Sequence, residues 1–109
     1  MRNRNHRAIL IDAHTMSVRE VQVSGLEDYY REMKVERIET AVWLDAETIL
    51  YVDEEGLING TTVGFTLNNG QWAGSGLVTA VNRKTGSSKD LKDKWTAEGL
   101  MRKVKFYAI

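Results

Sequence analysis

A chain of 109 residues with 42% hydrophobic side chains sits at the size of one domain with one core. Fifteen acids cancel fifteen bases, which argues against strong non-specific binding to phosphate backbones, and the lack of cysteine excludes disulfides, thiolate chemistry and cysteine-based zinc sites. No apolar run approaches the roughly 20 residues that span a bilayer, and Ala8 to Ile11 is too short for a signal-peptide core, so no membrane association is expected and the expected compartment is the cytoplasm.

The charge is uneven along the chain. Residues 1–25 carry net +2, residues 26–55 carry ten acids against Arg31, Lys34 and Arg37 for net −7, and residues 56–109 carry eight bases against three acids for net +5. The simpler account is that segments of opposite sign lie side by side in the fold; the other is a segregated binding face.

In chain order, Ala8-Ile9-Leu10-Ile11 and then Val18, Val21 and Val23, either side of the turn-like His14-Thr15-Met16-Ser17, predict an opening hairpin. Ser24 is the expected N-cap of a helix of about ten residues, with Glu27 and Asp28 in its first turn and Leu26, Tyr29, Tyr30 and Met33 at helical spacing. Ile38, Thr40, Val42 and Leu44 alternate with Glu39, Ala41 and Trp43. With Ile49 to Val52 they predict a second antiparallel hairpin around Asp45-Ala46-Glu47.

That hairpin ends in Asp53-Glu54-Glu55-Gly56, three carboxylates running into a glycine, which is the composition of a turn. A calcium loop starting at Asp53 fails, because its fifth, sixth and twelfth positions are Leu57, Ile58 and Gly64. Asn59-Gly60-Thr61 has the form of a glycosylation sequon, read here as an uninvolved turn.

Thr62 to Leu67 is strand-like, Asn68-Asn69-Gly70 marks a turn, and Leu77 to Val81 is another apolar β run. Gly74-Ser75-Gly76 is neither a nucleophile elbow, since Ala73 and Leu77 stand where that motif needs glycine, nor a dinucleotide loop, since Thr79 holds the third glycine position. A close backbone approach or a bulge beside Trp72 is the simpler role. Residues 82–95 are polar and rich in Gly, Ser and Lys, and are expected to form an exposed loop. Thr96 is expected to cap a short helix to Arg102, and Val104, Phe106 and Ala108 alternate as a terminal strand. The whole predicts an α+β domain spanning residues 1–109, a mostly antiparallel sheet of five to seven strands with one or two short helices.

The segments Ile9-Leu10-Ile11-Asp12, Leu50-Tyr51-Val52-Asp53-Glu54-Glu55-Gly56-Leu57 and Ala73-Gly74-Ser75-Gly76-Leu77-Val78, in that order, resemble a small family common on phages and plasmids, domain of unknown function 3846. The similarity covers approximately residues 7 to 82. Members often carry an Asn-Arg pair with prolines after the Asp-Glu-Gly-Leu segment. Here Asn59-Gly60-Thr61-Thr62 stands instead, and no role of that pair carries over. The resemblance implies a mobile-element origin and a cytoplasmic α+β domain, with no activity to inherit.

The remaining enzyme signals are weak. His6 and His14 on one extended strand would lie about 26 Å apart, too far to share a zinc ion. Glu32-Met33-Lys34 matches the acid-x-Lys text of some nucleases but falls at a helix end with no second acid at a convincing spacing. No metal, no cofactor and no catalytic residue are expected. The preferred reading is a non-catalytic protein-binding module acting on an unidentified, for instance host, protein. Its candidate residues are Glu27, Asp28, Glu32, Glu36, Glu39 and Trp72, the last expected to be the most exposed tryptophan. The alternative is a nucleic-acid-binding accessory protein using Arg83, Lys84, Lys89, Lys92 and Lys94, which lacks aromatic stacking platforms before Trp95. Homodimerisation stays open. If the acidic segment is neutralised internally, the expected source is Arg102, Lys103 and Lys105 on an adjacent strand.

Overall fold

A computed structural model describes residues 5–56 and 60–109. Leu57, Ile58 and Asn59, and with them the sequon asparagine, lie outside the described residues. Strands β1 (His6–Asp12) and β2 (Ser17–Val23) form the expected hairpin, in register from His6 opposite Val23 to Asp12 opposite Ser17. The connection is held by Asp12, whose Oδ1 accepts from the His14 N–H at 2.8 Å while its Oδ2 accepts from Arg19 Nη1 at 2.8 Å.

Helix α1 (Leu26–Met33) is capped by Gly25, not by Ser24. The contact runs the other way: Ser24 donates its N–H and its hydroxyl to Asp28 Oδ2 at 2.6 and 2.8 Å, so the third helical residue reaches back over the start, as in a capping box. Tyr29 and Met33 are the buried stripe, while Leu26 is 52% exposed. Strands β3 (Ile38–Trp43) and β4 (Thr48–Asp53) form the second hairpin, with a bulge between Thr40 and Val42. Next come β5 (Val63–Leu67) and β6 (Gly70–Ala73), joined through Asn68 in the left-handed region (φ 55°), then β7 (Gly76–Val81) and β8 (Ser88–Lys89). Helix α2 (Ala97–Lys103) starts where expected, with Thr96 Oγ1 accepting from the Gly99 N–H at 3.0 Å, and β9 (Lys105–Ala108) closes the chain.

The strands make two antiparallel sheets in an α+β fold. The larger has the order β2-β1-β7-β4-β3, with β8 beside the far end of β7; the smaller is β6-β5-β9. The single sheet of five to seven strands expected from the sequence corresponds to the six-stranded one. The second sheet and the strand at Gly70–Ala73 are additions.

Glycine explains how the sheets stack so closely. A Cβ on Gly76 would lie 2.7 Å from Cζ of Phe65, so β7 receives the β5 ring only where the side chain is absent.

Both faces of the larger sheet are buried, so its central strands are apolar without alternation. Ala8, Leu10 and Leu77 meet Tyr29 and Met33 of α1 on one face, while Ile9, Ile11, Leu50, Val52 and Val78 meet Phe65, Leu67 and Leu100 on the other. The loop expected at residues 82–95 divides in two: 82–87 is exposed, but Ser88–Lys89 pairs with β7 and Leu91 is 4% exposed. Trp72 differs from expectation as well. It is half-buried against Phe65 with ring centroids 5.6 Å apart, and the exposed tryptophan is Trp43, at 36%.

Candidate functional site

The larger sheet separates the residues of the acidic segment. Glu27, Asp28 and Glu32 ride on α1, over the face that carries Leu10 and Leu77. Glu39 lies opposite Val52 and therefore points to the other face, toward the second sheet. No single acidic face gathers all of them.

The acids on α1 are engaged locally. Arg31 pairs with Asp28 at 2.7 Å and approaches Glu32 at 4.0 Å. The two hydrogen bonds from Ser24 hold the Asp28 carboxyl below its ordinary value; burial opposes them, and the hydrogen bond and charge of Arg31 add lesser support. Glu36 lies elsewhere, lining a cleft of about 490 Å³ with His14, Lys34, Asp53 and Ser75.

The turn of the β3–β4 hairpin meets the basic segment. Lys89 and Lys92 both reach Glu47, the latter at 3.7 Å, and Lys94 reaches Asp45 Oδ2 at 3.3 Å. Trp95 donates its indole N–H to the same oxygen at 3.0 Å, and Asp45 Oδ1 accepts from the Glu47 and Thr48 N–H groups. Burial pushes the Asp45 carboxyl up, but these donors together outweigh it and hold the group well below the carboxylate range. The hydrogen bond and charge of Lys89 lower Glu47 likewise.

Internal neutralisation is thus real for this turn, from a source other than the expected one. The strand bearing Lys105 pairs with β5, so it lies in the second sheet and not beside the acidic strands. Of the five residues considered for nucleic acid, three face carboxylates. Arg83 stacks on Trp43, its Cζ 3.9 Å from the ring centroid, and Lys84 is exposed on the 82–87 turn.

Glu39 and Trp72 do come together, in a groove of about 500 Å³ between the sheets. Its floor is apolar, from Val52, Trp72, Ala73, Tyr107 and Ile109, and its rim is Glu39, Asp53, Glu54 and Glu55. Two glycines build it. A Cβ on Gly56 would fall 2.5 Å from the Ala73 carbonyl oxygen, so only glycine lets the acidic turn lie against β6. A Cβ on Gly64 would fall 2.6 Å from Cζ of Tyr107, so glycine there lets that ring cross β5, where its hydroxyl donates to the Trp72 carbonyl at 3.4 Å.

The Asp53-Glu54-Glu55 stretch is the turn the sequence predicted, with Asp53 Oδ1 accepting from the Glu55 N–H at 2.9 Å. It also aims carboxylates over the groove. Glu39, Glu54 and Glu55 make no ion pair among the described residues. Sequence reasoning missed Tyr107 and Ile109 as floor residues; the one related feature in the chain is Gly64, against which the Tyr107 ring lies. Among the described residues no cluster of three or more His, Asp or Glu could hold a metal ion, and no helix is long and apolar enough to cross a membrane.

Fold and groove together define a two-sheet α+β domain bearing an apolar trough with an acidic rim. The chain belongs to the family described as domain of unknown function (DUF3846), whose model matches residues 6–103. No match emerges from comparison with curated proteins or with solved structures.

Proposed function

We propose that this chain is a non-catalytic protein-binding module of a phage or other mobile element, directed at a host protein in the host cytoplasm, and that its groove receives a basic segment of that partner. The observation that carries this reading is the coincidence of three carboxylates that make no ion pair among the described residues, Glu39, Glu54 and Glu55, with an aromatic and aliphatic floor. A lysine or arginine satisfies both parts, laying its methylene stem on Trp72 and Ile109 while its charged head stays at the rim. The same carboxylates repel phosphate, and Lys89, Lys92 and Lys94 are already occupied by Asp45 and Glu47, so a protein partner is favoured over nucleic acid. The acids of α1 lie over the opposite face of the sheet, with Arg31 on Asp28 and near Glu32, and do not form the pocket.

The test is fluorescence anisotropy with a labelled peptide of alternating lysine and valine, beside a labelled DNA duplex. The peptide is expected to bind at low salt, to weaken as salt rises, and to lose about tenfold in affinity with Glu54→Gln and Glu55→Gln combined. Binding of the duplex but not the peptide would overturn the reading in favour of nucleic acid.

A further inference from the structure

The two edges of the larger sheet are not alike. Strand β2 has α2 packed against it and exposes the charged Arg19 and Glu20. Strand β3 is the other edge, with β4 as its single neighbour in the sheet among the described residues, and it borders the groove through Glu39.

The direction of its backbone follows from its two ends. Arg37 accepts from the Glu54 N–H at 3.1 Å and Leu44 donates to the Thr48 carbonyl at 2.7 Å, so both turn toward β4 and its flanks. In an antiparallel ladder successive residues alternate, which turns the N–H and C=O groups of Ile38, Thr40 and Trp43 outward along the open edge. Thr40, Val42 and Trp43 are exposed there.

We infer that the partner's basic segment binds as an added antiparallel strand on β3, a conclusion that rests on the groove being its receptor. An extended segment in that place sends every second side chain to the face where Glu39 points, and those are the side chains that reach Glu54 and Glu55. Lysine or arginine at alternate positions is therefore the recognised pattern. The Glu39 carboxylate discourages pairing with the β3 edge of a second copy of the chain, whereas a basic strand relieves that repulsion.

Strand addition makes a demand that groove binding alone does not. In an extended peptide of alternating lysine and valine, all lysine amides face one edge and all valine amides the other, so only one set meets β3. The experiment compares the parent peptide with two analogues, one N-methylated at the lysine amides and one at the valine amides. One analogue is expected to bind at least about tenfold more weakly than the parent while the other binds like it. Thr40→Pro, which removes an outward N–H at an edge position where proline is tolerated, is expected to weaken the parent peptide similarly without shifting thermal unfolding. Equal affinity for all three peptides, still lost with Glu54→Gln and Glu55→Gln, would overturn strand addition and leave the groove as receptor. No binding of the parent peptide at low salt overturns both.

Discussion

The two ends of the β3–β4 hairpin carry the same charge and meet opposite environments. At the turn, Asp45 and Glu47 are met by Lys89, Lys92, Lys94 and the Trp95 indole. At the open end, Glu39, Glu54 and Glu55 rim an apolar groove and make no ion pair among the described residues. A net charge of zero thus conceals one acidic cluster met by lysines and another that makes no ion pair among the described residues. The difference originates on β1. Arg7 donates to the carbonyls of Lys92 and Trp95, both at 2.8 Å, and its own N–H donates to Asp90 at 3.0 Å, which draws the basic segment to the turn and leaves none of it for the groove.

The strongest way to break this asymmetry is Arg7→Ala. It leaves several carbonyls without their charged donor and should lower stability by about 3 kcal/mol in urea titration. Trypsin should then cut first within residues 82–95. A wild-type midpoint with a protected segment would show that the lysine pairs hold it without Arg7.

A smaller effect is expected at the turn itself. Asp45→Asn keeps an acceptor for the Glu47 and Thr48 N–H groups but removes the charge, and should cost about 1–2 kcal/mol at neutral pH. Because the folded state lowers the Asp45 pKa, the unfolded chain takes up this proton first as pH falls. The contribution is complete above the unfolded value of about 4 and is lost as pH drops through the folded one. Wild type and Asp45→Asn should therefore converge in stability in acid, and a constant gap between them would locate the effect in packing.

The smallest effect sharpens the contrast between anchoring and neutralising. Lys89 and Glu47 both reach solvent, with side chains 44% and 35% exposed, so Lys89→Met should leave the urea midpoint unchanged within error. A clear drop would mean that this pair, and not Arg7, positions the segment.

Much of the fold was legible because local chemistry and tertiary structure agree. The apolar run at Ala8 to Ile11, the Thr96 cap, the Asn68 turn and the Asp53 turn each act within a few residues, so pattern alone reveals them. The start of α1 was legible as a boundary but not in mechanism, since Ser24 and Asp28 together can cap in either direction.

The sequence by itself determined the antiparallel α+β character, the two hairpins and the family to which the chain belongs. Only the tertiary structure decided which acids are neutralised and which rim a groove, because both ion pairs and groove join residues far apart in the chain: Asp45 with Lys94, Glu39 with Trp72 and Ile109. The second sheet belongs with these. It depends on rings packing over Gly64 and Gly76, and a glycine's value in such a place is the absence of a side chain, which leaves no periodic mark in the sequence.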